Sequence, residues 1–233
     1  MIDGGYQGRI FMYPCAGFDI VEPVQALADQ FDTFVFVDIK YRFDRFSPPS
    51  IPGWDEVLGS VQLTGPATDA MRVVQRERGH HREIEPAWRR SCYRNPGTGR
   101  AINLVFRRGF GQYALHELCD GTLGMFLHRG DSGGEGGSGT VFLANHRMSH
   151  PPLSMLVDVI KRKLGTPALI ASDGSNTNIR QLCDAAAGDD GITAFRAHGL
   201  GWERSGSLPG RQGRRTVVWR VAAVAGTDAS NRT

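Results

Sequence analysis

Apolar residues fall into two kinds of pattern over the first forty positions of the chain. Residues 9–13, RIFMY, form a short apolar run that predicts a buried strand, and PCAGFD follows at 14–19 as a turn. Residues 20–31 carry apolar side chains at helical spacing, whereas TFVFVD at 33–38 is rich in β-branched and aromatic residues. The order strand, turn, helix, strand predicts a βαβ unit with parallel strands and a right-handed crossover.

The middle of the chain has a less regular pattern. A proline-rich loop at 45–54 precedes a predicted short helix that turns into a strand within 55–63. The segments WRRSCYR at 88–94 and AINLVFRR at 101–108 flank NPGTG, and Asn-Pro-Gly supplies a turn, so these segments predict a β-hairpin. A short helix is predicted at 111–118.

The second half returns to alternating strands and helices. Apolar runs predict strands at 123–131, 167–175, 192–200 and 216–224. Helical spacing predicts helices at 151–164 and 176–186, and the first of these begins at two prolines and ends at Gly165. We therefore predict an α/β fold in a single domain over 1–225, with a β-hairpin insertion at about 72–108 and a flexible tail at 226–233.

Composition narrows the class of protein without identifying it. The 233 residues are 40% hydrophobic and 22% charged, a balance typical of globular domains, and the net charge of +3 does not by itself call for a nucleic-acid or membrane partner. The four cysteines are far apart, which argues against a zinc site or a disulfide framework. With no apolar run near 18 residues and no basic-then-apolar leader, we expect a cytoplasmic protein without a membrane partner.

The segment GDSGG at 130–134 matches the sequence around the nucleophilic serine of chymotrypsin-like proteases. A serine needs a histidine and an acid to act as a nucleophile. None of the histidines before Ser132 lies in the AAHC-type context of that family, and Glu135 replaces the proline that normally follows the motif. The predicted helices after the motif also do not fit a second β-barrel. We interpret Ser132 as a loop serine that bonds to nearby backbone.

The order of the predicted elements resembles that of class I S-adenosylmethionine-dependent methyltransferases. YPCAGFD at 13–19 stands where that family has its glycine-rich turn, and Asp38 stands at the end of the second strand, where the family has a ribose-binding acid. The segment 153–173 resembles the late helix, glycine turn and fifth strand of the family. The resemblance implies a Rossmann-like three-layer sandwich with a mostly parallel sheet and a C-terminal antiparallel hairpin.

The same resemblance implies a methyltransferase-like protein that binds S-adenosylmethionine and acts on an unknown acceptor. Its implied cofactor-binding residues are Tyr13, Pro14, Cys15, Gly17, Asp19 and Asp38. The turn has one glycine where the family usually has two or three. This departure keeps open a second hypothesis, a Rossmann-like binding or assembly module that uses no cofactor. For Asp38 and Cys15 the alternatives are a solvated carboxylate that ends a strand and a small buried thiol.

The glycine-rich loop HRGDSGGEGGSG at 128–139 follows a predicted strand, and ASDGSN follows the next one. Because ligands bind at the carboxyl ends of parallel strands, Asp131, Glu135 and Asp173 are the predicted catalytic residues, which would orient or deprotonate an acceptor. A flexible polar lid is the alternative for the loop. A third hypothesis is an α/β enzyme in which these three carboxylates hold a divalent cation.

Residues 72–108 carry ten arginines against three glutamates. This Arg-rich region predicts contacts with a phosphate-bearing or nucleic-acid partner. The arginines also alternate along the predicted hairpin, as the solvated face of a strand requires, so a face without a partner is the alternative.

Overall fold

The computed structural model describes residues 10–38, 40–63, 87–109, 111–129, 156–175, 177, 179–208 and 214–224. The strands in these ranges are β1 Ile10–Pro14, β2 Thr33–Asp38, β3 Asp55–Leu63, β4 Ala87–Arg94, β5 Ala101–Arg108, β6 Leu123–His128, β7 Leu164–Ser172, β8 Ala194–Ala197, β9 Leu200–Leu208 and β10 Thr216–Ala223. The helices are α1 Val21–Leu27, α2 Gly111–Glu117, α3 Leu156–Lys163 and α4 Arg180–Ala187.

All ten described strands belong to one sheet, in the order β3-β4-β5-β2-β1-β6-β7-β10-β9-β8. The five central strands, β5, β2, β1, β6 and β7, run parallel to one another. Strands β3 and β4 continue the sheet antiparallel on one side, and β10, β9 and β8 continue it on the other. The carboxyl ends of the five central strands therefore share one edge, which we call the carboxyl edge.

The predicted Rossmann-like three-layer sandwich with a mostly parallel sheet is wrong. Within the described ranges four strand pairings are parallel and five are antiparallel, and the four helices have only seven or eight residues each. The protein is mainly β, with a mixed sheet. The prediction placed a short helix within 55–63, where the chain instead forms β3, an antiparallel strand at one end of the described strand order.

The predicted strand at 192–200 is two strands joined by a tight turn. His198 and Gly199 both have positive φ, 53° and 70°, and they connect β8 to β9 with Ala197 opposite Leu200. Two consecutive residues of positive φ are typical of the two-residue hairpin turns whose twist matches that of the flanking strands. The C-terminal part of the sheet is therefore a three-stranded antiparallel unit rather than a single hairpin.

Both faces of the central strands are buried, which explains their continuous apolar sequences. One face holds an aromatic cluster that includes Phe11, Phe34, Phe36 and Phe106 and packs against α1. The other face packs against apolar side chains of α2, α3 and α4. Successive residues of β1 and β2 alternate between these two layers, as the two-residue period of a strand requires.

Strands β4 and β5 pair antiparallel across residues 95–100, at the Asn-Pro-Gly turn. The Asn95 side chain accepts the N–H groups of Gly97 and Thr98 at 2.9 and 3.0 Å, which closes the turn. Strand β5 also pairs in parallel with β2, so it belongs to the centre of the sheet. Residues 72–86 of the predicted insertion and the predicted tail at 226–233 lie outside the described residues.

No helix in the described ranges combines the length and the apolar character needed to cross a lipid bilayer.

Candidate functional site

The turn after β1 lies at the carboxyl edge and has an unusual backbone. Cys15 and Gly17 both have positive φ, 58° and 54°. A residue other than glycine in this conformation costs about 1–3 kcal/mol, and such residues cluster at functional sites. The N–H of Ala16 donates to the carbonyl of Val37 at 3.1 Å, so the turn is fixed to the end of β2.

Asp38, the last residue of β2, is hydrogen-bonded to this turn. Its Oδ2 accepts the N–H of Gly17 at 2.8 Å, and its Oδ1 accepts the N–H of Lys40 at 2.8 Å. The side chain is largely buried. Each carboxylate oxygen has two lone pairs, so each retains the capacity for one further hydrogen bond. The predicted residues Gly17 and Asp38 are therefore in direct contact.

A buried ion pair lies beside this contact, between the ends of β1 and β6. Arg129 directly follows β6, is 1% exposed, and contacts the carboxylate of Asp19; it also lies 3.5 Å from Glu22. Tyr13 donates its hydroxyl to Asp19 at 2.9 Å, and the Arg129 guanidinium lies 5.9 Å from the centre of the Tyr13 ring. Burial, and secondly the charge of Asp19, hold the pKa of Tyr13 above its ordinary value. The polar groups of Tyr13 and Asp19 thus contact each other.

Tyr41 lies three residues beyond β2 and is fully buried. Its ring packs against Phe43, Phe46 and Phe106, and its hydroxyl has no hydrogen-bond partner within the described part of the chain. Burial, followed by the negative charge of Asp38, raises the pKa of this hydroxyl well above its ordinary value. Tyr41 therefore stays protonated.

The ends of β6 and β7 carry a second polar group at the same edge. Nδ1 of His128 and Oγ of Ser172 lie 3.1 Å apart, and the N–H of Asp173 donates to the carbonyl of His128 at 3.1 Å. The Asp173 carboxylate accepts the N–H and the hydroxyl of Ser175 at 2.9 and 2.5 Å. Asp173 is thus held in a local turn at the carboxyl edge.

Most of the site residues predicted from the sequence lie at the carboxyl edge in the structure. Tyr13 and Pro14 end β1, Cys15, Gly17 and Asp19 form the following turn, Asp38 ends β2, and Asp173 follows β7. Asp131 and Glu135, the other predicted catalytic residues, lie outside the described residues. Arg129 and Tyr41 were missed. The available signal for Arg129 was a charged residue directly after the apolar run LGMFLH, in a place where a buried strand ends.

Among the residues that the structure describes, no group of three or more histidine, cysteine, aspartate or glutamate side chains could hold a metal ion. The predicted divalent-cation site combines Asp173 with two residues outside those ranges.

Three arginines of the Arg-rich region make internal contacts. Arg89 donates to the carbonyls of Phe43 and Phe46, and Arg100 donates to the carbonyl of Ala28 and the carboxylate of Asp32. Arg107 is buried, forms a two-point contact with Glu117, and lies 5.4 Å from the centre of the Trp88 ring. Arg90 and Arg94 of the same hairpin are exposed. The guanidinium groups of Arg89, Arg100 and Arg107 therefore stabilise the fold.

No protein-family model, no curated protein and no solved structure matches the chain.

Proposed function

We propose that the protein binds S-adenosylmethionine at the carboxyl edge and is a methyltransferase-like protein. The hydrogen bond between the N–H of Gly17 and Oδ2 of Asp38 carries this proposal. This bond places a carboxylate that can accept further hydrogen bonds beside Gly17, which has no side chain to block a ligand. A carboxylate in that position can accept hydrogen bonds from both hydroxyl groups of a ribose.

The order of the parallel strands supports the same location. Strands β2 and β5 are added on one side of β1, and β6 and β7 on the other, so the strand order reverses between β1 and β6 while the strands stay parallel. Ligands of parallel sheets bind outside the carboxyl ends of the strands at such a reversal. Gly17 and Arg129 flank this point, and Asp38 lies one strand away.

The residues have three roles in this proposal: one binds the ribose, a pair holds the turn, and three carboxylates act on the acceptor. Bound S-adenosylmethionine supplies an electrophilic methyl group on a sulfonium. Asp38 accepts the ribose hydroxyls, and the Arg129–Asp19 pair holds the turn against β6. The carboxylates Asp131, Glu135 and Asp173 orient or deprotonate the acceptor.

A binding or assembly module that uses no cofactor is the second candidate. Both oxygens of Asp38 already accept a backbone N–H, which is what a purely structural carboxylate at a strand end does. In this candidate, Phe18 or Pro14 fills the pocket that adenosine would otherwise occupy. Phe18 is largely exposed, whereas Pro14 is buried within β1 opposite Val37.

Calorimetric titration with S-adenosylmethionine distinguishes the two candidates. We expect binding by the natural protein and at least about tenfold weaker binding by Asp38→Ala, because two hydrogen bonds to a charged group are lost. Asp44→Ala, which makes the same change at an exposed acid on the same segment, is the matched control and should bind normally. Absence of heat at millimolar ligand, or equal binding by Asp38→Ala, would overturn the proposal in favour of the module.

A further inference from the structure

One side chain of the turn after β1 is exposed while its neighbours are buried. Ala16, Asp19 and Ile20 are all less than a tenth exposed, but Phe18 is 78% exposed. Among the side chains whose exposure the structure describes, the only other large apolar one that is exposed is Val57, at 49%. Phe18 is the most exposed large apolar group among these side chains, and it lies at the carboxyl edge.

The backbone on both sides of Phe18 is anchored. On one side the N–H of Gly17 is bonded to Asp38. On the other side the Asp19 carboxylate is held by Tyr13 and Arg129, and the N–H of Ile20 donates to the carbonyl of Phe18 at 3.0 Å. When such a ring binds a ligand, the backbone is already ordered, so only the two side-chain torsions of Phe18 lose freedom.

Phe18 is next to the Gly17–Asp38 contact along the chain. Phe18 directly follows Gly17, whose N–H donates to the Asp38 carboxylate. A nucleoside presents a pair of hydroxyls on its sugar and a flat base attached to that sugar. A carboxylate binds the hydroxyls, and an exposed aromatic ring offers a face on which the base stacks.

We propose that Phe18 is the base-stacking residue of the site, so that the ligand class is a nucleoside-bearing molecule recognised through its base as well as its sugar. This inference rests on the proposed function and adds a specificity-determining residue to it. Because stacking needs only a π-face, the free nucleoside adenosine should share the dependence on Phe18 with S-adenosylmethionine, whereas methionine alone should bind without measurable affinity.

The test is calorimetric titration of S-adenosylmethionine and of adenosine into a set of variants. We expect Phe18→Ala to weaken the binding of both ligands by about 5- to 150-fold, the range for the loss of one base–aromatic contact. Phe18→Tyr keeps the ring and should bind like the natural protein. Phe18→Leu keeps apolar surface without a ring and should bind like Phe18→Ala. Val57→Ala is the matched control for loss of an exposed apolar group, and it should leave affinity unchanged.

The outcomes distinguish failure of the stacking role alone from failure of the proposed function. If Asp38→Ala weakens binding but Phe18→Ala stays within about twofold of the natural protein, only the stacking role is overturned. Equal affinity of Phe18→Leu and the natural protein would also overturn it, since contact area alone would then suffice. If the natural protein binds neither ligand, the proposed function fails together with the stacking role. Thermal melting of each variant checks that the fold is intact, as the exposure of Phe18 leads us to expect.

Discussion

The Tyr41 hydroxyl gives a test at the scale of a single residue. It is buried beside an aromatic cluster and has no hydrogen-bond partner in the described ranges, whereas the Tyr13 hydroxyl donates to Asp19. Removing an unsatisfied buried hydroxyl recovers its desolvation cost, so Tyr41→Phe should leave the free energy of unfolding unchanged or raise it by about 1–2 kcal/mol. Tyr13→Phe, the matched variant, should lower it by about 1.5–3 kcal/mol. Urea denaturation of both variants measures the difference, and a loss of stability in Tyr41→Phe would contradict the assignment.

The Arg129–Asp19 pair gives a second test at this scale. Arg129 is almost fully buried, so removing its guanidinium leaves an uncompensated carboxylate in the interior. We expect Arg129→Met to lower the free energy of unfolding by about 3–5 kcal/mol. Arg45 and Asp44 form an exposed pair, and Arg45→Met is the control, with an expected loss below about 1 kcal/mol. The double variant Arg129→Met with Asp19→Asn should recover much of the loss; equal unfolding midpoints for Arg129→Met and Arg45→Met would rule out this account.

At the scale of elements, the connection from β7 to α4 depends on Gly174. Its φ is +69°, and a Cβ there would lie 2.8 Å from Cα of Cys183 and 2.9 Å from the carbonyl oxygen of Leu182. We expect Gly174→Ala to destabilise the protein by about 2–5 kcal/mol, because backbone strain and a clash with α4 add together. Gly121 has φ +73° and nothing within 4 Å of an added Cβ, so Gly121→Ala isolates the strain and should cost about 1 kcal/mol. Similar melting temperatures for the two variants would contradict the predicted clash.

The sequence predicted some elements well because their patterns are local. The apolar runs at 9–13 and 33–38 coincide with β1 and β2, which are buried on both faces, and the hairpin strands at 88–94 and 101–108 coincide with β4 and β5. The pattern at 55–63 was ambiguous because Val57 and Val61 are at helical spacing, whereas Val61 and Leu63 alternate as in a strand. The balance of parallel and antiparallel pairings, which decides the fold class, is a property of strand partners that no single segment encodes.

At the site, too, some residues could be predicted from the sequence and others could not. Gly17 and Asp38 were predicted together from the resemblance, which assigns both to one cofactor site, and in the structure the Gly17 N–H donates to Asp38 Oδ2 at 2.8 Å. Arg129 was not predicted, since its contact with Asp19 exists only because β6 pairs with β1, and no local pattern specifies that pairing. Tyr41 was missed because tyrosine in a loop after a strand is usually read as a surface residue.

At the scale of the whole molecule, His116 should shape the dependence of stability on pH. Burial, and secondly the positive charges of Arg162 and Lys163, lower the pKa of His116 below its ordinary 6.5. Between the two pKa values the unfolded chain binds more protons than the folded one, so stability falls as pH decreases through that window.

We therefore expect the natural protein to lose more stability than His116→Gln between about pH 7.5 and about pH 5. Comparing their unfolding free energies across this range cancels the contribution of the acids and of the other histidines. Parallel curves for the two proteins would show that His116 is not coupled to folding.

The Arg129–Asp19 contact has a consequence for the time course of folding. The two residues are 110 positions apart, and they meet only when β6 docks against β1. Contacts between residues far apart in sequence slow folding, because closing the long intervening loop costs conformational entropy before the contact forms. During synthesis the turn at 15–19 leaves the ribosome long before Arg129 exists, so the nascent chain carries an exposed Asp19 without its countercharge. The part of the carboxyl edge that Arg129 completes therefore forms only once β6 is in place, and a ligand that needs this part stabilises the folded protein without speeding the steps that precede it.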